Sequence, residues 1–101
     1  MILPSEYAGG SSAKPKFSLG RLVATPGVLE LVTHEEIMHA LNRHICGDWG
    51  DVDQEDRAEN ERSLLHALRL LSVYHSVNGT KFWIITEHDR SSTTVLLPSE
   101  Y

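Results

Sequence analysis

Cysteine, aromatic residues and long apolar runs are all scarce in this chain of 101 residues. A single cysteine, Cys46, cannot form a disulfide within the chain, which excludes a disulfide-stapled secreted mini-protein. The longest apolar run, Phe82–Ile85, is far too short to span a bilayer. The first residues also lack a basic segment followed by an apolar core, so we expect no secretory signal. These absences predict a cytoplasmic protein without membrane association.

Basic residues are also few. Lys and Arg number 9 against 14 Asp and Glu, and the formal net charge is −5. Binding to a nucleic-acid backbone requires clustered Lys and Arg, so we expect no direct backbone binding. Residues 48–62 hold seven acidic residues and two arginines, and their charge of −5 equals that of the whole chain. This localised charge predicts either a solvated helix face or an acidic surface that faces a basic protein partner.

The two ends of the chain differ in composition but share a sequence. Residues 1–16 are small, polar and rich in Gly and Pro, which predicts a flexible tail before a single domain over residues 17–101. The pentapeptide Leu3–Tyr7 recurs unchanged as Leu97–Tyr101. The repeat is either a duplication without a role or a device by which the N-terminal copy takes the place of the C-terminal one. In the second case a homodimer forms through the tail or a sheet edge.

The first half of the domain predicts one strand and two helices. Residues 17–24 are typical of a strand, and Thr25 followed by Pro is typical of the start of a short helix. Thr33 and Glu36 form a capping box that begins a second helix. That helix carries an apolar stripe typical of a buried face, and Gly47 is expected to end it. The stripe comprises Ile37, Met38, Leu41 and Ile45.

A third helix is predicted from Gln54 to Leu68, with Asp53 as its N-cap. Its first half is polar nearly all round, and its second half contains Leu64, Leu65 and Leu68. We therefore expect the leucines to anchor the C-terminal end in the core while the N-terminal end is solvated.

Three strands complete the pattern, over residues 70–75, 81–86 and 93–98. Asn78-Gly79 predicts a two-residue turn between the first two strands, and Trp83 is expected in the core of the central strand. The sequence thus predicts an α+β domain. Its antiparallel sheet has three to four strands, from a C-terminal meander and an N-terminal strand, and two to three helices pack on one face.

A combination of five stretches resembles a known family. The stretches cover residues 17–27, 47–51, 69–74, 83–91 and 93–101. Together they are similar to an uncharacterised family of short bacterial proteins from plasmids and integrative elements, usually described as plasmid-related or hypothetical. The resemblance extends over residues 16–101. It implies an origin on a mobile genetic element and brings no established activity.

Histidine, glutamate and cysteine residues, which are typical metal ligands, occur here at spacings and in numbers that do not match known zinc sites. His34 and His39 are five residues apart, whereas a zinc protease helix needs histidines four apart. Glu35 with His39, or His44 with Cys46, supplies two ligands where a structural zinc site needs four. We therefore expect no metal or other cofactor, and we expect His44 to be a packed or capping histidine.

Nucleophilic catalysis has no sequence support, because Gly-x-Ser-x-Gly and phosphate-binding glycine loops are absent. Glu87, His88, Asp89 and Arg90 crowd polar groups at one strand end and could form an active site. Hairpin turns collect such residues by default, and we expect Asp89 and Arg90 to hold the turn. The protein is therefore predicted not to be an enzyme.

The leading hypothesis is a small non-catalytic accessory protein of a mobile element that contacts another protein. Trp49, in a predicted loop, is either a plug on the core, the reading we favour, or an exposed anchor. One alternative is an acidic inhibitor of the DNA-binding surface of a host nuclease or defence complex, and another is a small enzyme that uses the Glu87–Arg90 turn. The candidate interaction residues are Asp48, Trp49, Asp51, Glu55, Glu59, Glu87, Asp89 and Arg90.

Overall fold

The computed structural model describes residues 14–101, which form three α-helices and four β-strands. Most of the predicted tail, residues 1–13, lies outside the described residues, and the backbone N–H of Lys16 donates to Ile45 O at 2.8 Å. No helix within residues 14–101 is both long and apolar enough to cross a membrane. In chain order the elements are β1 Arg21–Ala24, α1 Pro26–Leu31, α2 His34–Ile45, α3 Gln54–His66, β2 Leu70–His75, β3 Lys81–Thr86 and β4 Ser92–Leu96, followed by a 3₁₀ turn, Pro98–Glu100.

The four strands form one sheet in the order β1-β4-β3-β2. The predicted C-terminal meander is present, because β2 pairs antiparallel with β3 and β3 pairs antiparallel with β4. The predicted α+β fold class is therefore confirmed. One pairing differs from the antiparallel expectation, because β1 lies parallel to β4 with Leu22 opposite Thr93. Three helices and two strands separate β1 from β4 in the sequence, so no tight turn imposes an antiparallel direction on them.

Helices α1 and α2 begin as predicted. The Thr25 hydroxyl accepts a hydrogen bond from the backbone N–H of Val28, and the Thr33–Glu36 capping box is complete. The predicted apolar stripe of α2 is buried throughout, and α2 ends at Ile45 just before Gly47, whose φ is +83°. On one face of the sheet this stripe meets the inward residues of the strands, which include Leu22, Ala24, Tyr74, Phe82, Ile84 and Val95.

The opposite face of the sheet is covered differently. Val73, Ile85 and Leu96 are buried there, but Trp83 is only partly buried. The expectation that Trp83 belongs to the core was therefore wrong. β3 is central, as its apolar residues on both sides predicted, yet α1 and α2 pack only on the face that carries Phe82 and Ile84.

The turn between β2 and β3 also differs from the predicted two-residue form. Gly79 N–H donates to Ser76 O at 3.0 Å, and Ser76 N–H donates to Thr80 O at 2.9 Å, which leaves a three-residue loop, 77–79. Only Gly79 has a positive φ, of 87°. The Asn78 side chain donates to Leu31 O at 3.0 Å, so the loop is tied to the end of α1 rather than closed tightly on itself. This geometry matches a turn followed by a left-handed glycine.

Gly79→Val should lower the free energy of unfolding by more than about 1 kcal/mol, because a β-branched residue is strained at positive φ. An added Cβ meets nothing within 4 Å, so the loss comes from backbone strain alone. Gly79→Asn is the matched control and should lose less, because Asn tolerates this conformation. Urea unfolding of the two variants and the wild type measures the difference. Equal stability of Gly79→Val and wild type would contradict the assigned backbone conformation.

Candidate functional site

Helix α3 lies beside the edge strand β2 and is joined to it by polar contacts. Asn60 Nδ2 donates to Leu71 O at 2.7 Å, and Leu71 N–H donates to Asn60 Oδ1 at 3.1 Å. Asn60 is only 4% exposed. An uncovered edge strand offers its backbone groups to other chains, and this amide pairs with them within the molecule.

The loop before α3 covers the next stretch of the same edge. Val73 N–H donates to Trp49 O at 3.0 Å, and Asp51 N–H donates to Val73 O at 2.7 Å. Gly50 lies between them at a φ of +75°, and a Cβ there would lie 2.1 Å from Val73 O. The close approach of the two backbones therefore requires glycine at position 50. The loop and α3 together seal the β2 edge.

Trp49 plugs the space beneath this loop, as favoured from the sequence. It is fully buried, stacks on Phe17 with ring centroids 6.2 Å apart, and meets His44 edge-on at 5.7 Å. Its Nε1–H donates to Glu61 Oε2 at 2.8 Å, which ties the loop to α3. Trp49 is therefore unavailable as a surface anchor. The role of Glu61 carries no local sequence signal, because its partner lies twelve residues away.

Arg90 holds the other end of α3. Its Nη2 donates to Ser63 O at 2.9 Å, and its Nη1 donates to Leu68 O at 2.5 Å and to Glu87 O at 3.1 Å. The expectation that Asp89 and Arg90 hold the β3–β4 turn is confirmed, because Asp89 Oδ1 also accepts from Ser91 N at 3.0 Å. Arg90 thus adds a side-chain donor at Ser63 O, which also accepts from the backbone N–H groups of Ala67 and Leu68.

Of the three leucines predicted to anchor α3 in the core, only Leu64 is partly buried, so the prediction was wrong for the other two. Leu65 is 82% exposed and Leu68 is 44% exposed, whereas Asn60 and Ser63 are the buried side chains of α3. The helix also ends at His66 rather than Leu68, because Ala67 adopts a left-handed conformation with a φ of 52°. The physical reason is the nature of the surface that α3 covers. A strand edge presents backbone N–H and C=O groups, and polar side chains match them where leucine cannot.

The outward side of α3 presents a mixed surface, which we call the α3 outer face. Its members are spaced three or four residues apart, lie on one side of the helix and are all exposed. Arg62 Nη1 pairs with Glu59 Oε2 at 2.6 Å on this surface. The α3 outer face consists of Glu55, Ala58, Glu59, Arg62 and Leu65.

The remaining acidic candidates lie in the loop before α3. The carboxylate of Asp48 forms a two-pronged pair with Arg43, at 2.8 and 3.2 Å, and this contact holds the pKa of Asp48 below its usual range. Asp51 Oδ2 lies 3.6 Å from His75 Nδ1. The structure thus places the predicted residues in three groups: the loop, the α3 outer face and the turn that contains Glu87. It brings the turn and α3 together through Arg90, but it does not gather the acids in one cavity.

His44 lies in a buried polar chain, which confirms the packed interpretation. Its Nδ1 is 2.5 Å from Ser72 Oγ and its Nε2 is 2.9 Å from Thr86 Oγ1. Thr86 Oγ1 is 2.7 Å from Thr93 Oγ1, which donates to Leu19 O. Because the Thr93 proton is committed, Thr86 donates to Thr93 and accepts from His44, whose proton therefore sits on Nε2. Burial lowers the pKa of His44 to about 3, so the ring is neutral at physiological pH.

A surface cleft of about 340 Å³ lies between α2 and the β2–β3 hairpin. Two of its charged groups are already paired. Glu36 accepts from Val77 N–H at 2.7 Å as well as from Thr33, and Arg43 pairs with Asp48. Within residues 14–101, no three His, Cys, Asp or Glu side chains come close enough together to hold a metal ion.

Lowering the pH from 7 to 5 should reduce the free energy of unfolding by about 2 kcal/mol through His44. The unfolded chain binds a proton at His44 below pH 6.5, while the folded state does not until about pH 3. Stability from this group is therefore complete above pH 6.5 and is lost as the pH falls. Urea titrations at both pH values measure the drop. The loss of unfolding free energy between pH 7 and pH 5 should be smaller in His44→Asn and unchanged in His66→Asn, which alters an exposed position. An equal loss in both variants would contradict the assignment of this pH dependence to His44.

Asn60→Ala should lower the free energy of unfolding by about 1–3 kcal/mol, because it leaves the N–H and C=O of Leu71 without their partners. The control is Glu55→Gln with Glu59→Gln, which should change stability by no more than about 0.5 kcal/mol, since both side chains are exposed. Thermal and urea melting provide the comparison. A larger loss in the control than in Asn60→Ala would show that α3 is held through its acidic side.

No family model, curated protein or solved structure matches this chain. Its function must therefore be inferred from the arrangement of its own residues.

Proposed function

We propose that this protein is a small, non-catalytic interaction protein that docks onto a basic protein partner through the α3 outer face. The observation that carries the proposal is Leu65, a large apolar side chain that is 82% exposed on a helix whose inward side is polar. Leu65 contributes little to the core of the monomer. Leu68, three residues further on, is 44% exposed, so the exposed apolar surface at this end of α3 is more than one side chain. Exposed apolar surface that is rimmed by charge is typical of protein contact sites.

The way α3 is held supports this role. Asn60, Glu61, Ser63 and the Arg90 contacts fix the helix from its inner and lateral sides. The outward side chains of α3 take no part in attaching the helix to the sheet. Glu59 and Arg62 pair with each other on the surface of the helix. A rigid helix presents such side chains without the entropy cost of ordering a loop, which favours recognition.

The charge distribution along α3 defines the chemistry of the partner. Glu55 and Asp56 lie in the first turn, whereas Leu65 lies in the last, with Arg62 between them. A complementary surface therefore carries Lys or Arg opposite the first turn and an apolar pocket opposite Leu65. Charge complementarity of this kind speeds association and sets orientation, while the buried apolar contact supplies most of the affinity.

The β3–β4 turn supports a non-catalytic role. The guanidinium of Arg90 is committed to backbone carbonyls, and Asp89 is committed to Ser91 N–H. Polar groups that hold a turn in this way are not free to take up substrate or move protons.

A second candidate function is an inhibitor that covers the DNA-binding surface of a nuclease or defence complex. The observation in its favour is the charge of −5 within residues 48–62. A surface of that kind competes with the phosphate backbone for a basic groove. In this case added duplex DNA should release the partner, whereas a partner bound elsewhere should stay.

Site-specific photo-cross-linking tests the docking surface. A photoreactive residue replaces Leu65 in one form and Val77 in the other, since Val77 is 96% exposed on the β2–β3 loop. Lysate of the native host should yield a discrete cross-linked partner from position 65 and none from position 77. The Leu65→Ser variant, otherwise unlabelled, should bind the purified partner at least about tenfold more weakly, with unchanged melting temperature. Binding should also weaken as salt rises from 50 to 500 mM, values of the order at which exposed charges become screened.

Two results would contradict the proposal. One is equal cross-linking from both positions, which would indicate non-specific contact. The other is unchanged affinity of Leu65→Ser for a partner that cross-links at position 65.

A further inference from the structure

The C-terminal pentapeptide Leu97–Tyr101 contacts four residues that we call the cradle, namely Thr25, Gly27, Arg69 and Trp83. Glu100 Oε1 accepts from the Thr25 hydroxyl at 2.5 Å, and Glu100 Oε2 accepts from Gly27 N–H at 3.0 Å. A Cβ at Gly27 would lie 2.5 Å from Glu100 Oε2. Only a glycine at residue 27 therefore leaves room for the Glu100 carboxylate at this site.

The rest of the cradle receives the tyrosine and the leucine. The ring of Tyr101 meets Trp83 edge-on with centroids 5.8 Å apart, and the Arg69 guanidinium lies 5.1 Å from its centroid. Arg69 Nη2 also donates to the Tyr101 hydroxyl at 2.5 Å. Leu97 is partly buried against the hydrophobic core. Three side chains are thus recognised, a leucine and, three and four residues later, a glutamate and a tyrosine.

The same three side chains recur with the same spacing near the start of the chain, as Leu3, Glu6 and Tyr7. These residues lie outside the described part of the structure. Lys16 is attached to the domain through Ile45 O, and residues 8–15 join the two points. Eight residues span at most about 26–29 Å when extended, comparable with the 24–34 Å dimensions of the molecule. The connecting chain is long enough to reach the surface of a neighbouring copy.

We propose that the cradle formed by Thr25, Gly27, Arg69 and Trp83 is a peptide-binding site that also takes the N-terminal segment Leu3–Tyr7 of this chain in exchange for the C-terminal copy. Every hydrogen bond and ring contact that a side chain of Leu97–Tyr101 makes in the cradle has an identical group available in Leu3–Tyr7.

The resident copy is held in a way that permits exchange. Tyr101 is 70% exposed, and the Glu100 contacts lie at the surface, so solvent already reaches much of what holds these two residues. The C-terminal copy has the advantage of a direct connection to β4, which favours it at low concentration. Reciprocal exchange between two copies gives a twofold dimer.

Three full-length variants test the exchange. The C-terminal variant carries Glu100→Ala and Tyr101→Ala, the N-terminal variant carries Glu6→Ala and Tyr7→Ala, and the combined variant carries all four. The readout is hydrogen exchange of the Gly27 amide, whose acceptor is the carboxylate in the cradle. We expect both paired variants to stay close to the wild-type rate, because one intact copy remains. The combined variant should exchange about tenfold faster, the loss of one hydrogen bond of ordinary strength.

A synthetic peptide of residues 2–8 should restore slow exchange in the combined variant, and a peptide of the same composition in scrambled order should not. Sedimentation at increasing concentration then shows whether the bound segment comes from the same molecule or from a second one. Binding of the segment from either source supports the proposal. The proposal is overturned if the C-terminal variant exchanges as fast as the combined variant. Should the paired substitution unfold the chain, Glu100→Ala compared with Glu100→Ala plus Glu6→Ala gives the same test.

Discussion

The polar seal along the outer edge of β2 is the interaction on which the arrangement of this protein depends. Asn60 pairs with both backbone groups of Leu71, and the Trp49–Asp51 backbone pairs with both groups of Val73. These contacts finish the sheet on one side and set the position of α3. They also determine the inward chemistry of α3, because backbone edges require hydrogen-bonding partners. Leu65 is consequently left on its outward side.

The loop that covers the β2 edge also positions buried side chains beneath it. The loop that covers Val73 also carries Trp49, which fills the space beside His44. His44 in turn links β2 to β3 through hydrogen bonds to Ser72 and Thr86. Thr86 is also hydrogen-bonded to Thr93, which extends the chain to β4. A fully bonded polar chain in a buried position specifies one arrangement of the elements that it joins. The helix α2, three strands and the loop are therefore held in a single register.

The proposed functions use the two surfaces that this framework leaves outside. The α3 outer face presents Leu65 and the acidic residue Glu55 of the first turn on a helix whose attachment does not require them. The cradle lies where Thr25 and Gly27 meet the segment after β4. The two surfaces share no residue, so loss of contact at one leaves the other intact. A protein of this size can thus combine binding to a partner with exchange of its own terminal segment.

Local features of the sequence determined most of the secondary structure. Caps such as Thr25, the Thr33–Glu36 box and Asp53 involve residues three or four apart, and the buried stripe of α2 follows from helix periodicity alone. The fold class, the burial of Trp49 and the last three strands were likewise predicted, whereas β1 begins at Arg21 and not at Phe17 as expected. Tertiary structure decided the parallel direction of β1, the three-residue loop that ties Asn78 to Leu31, and the outward position of Leu65. Each of these depends on which surface an element meets, and a leucine pattern read along one helix does not reveal that the facing surface is a strand edge that only polar groups can satisfy.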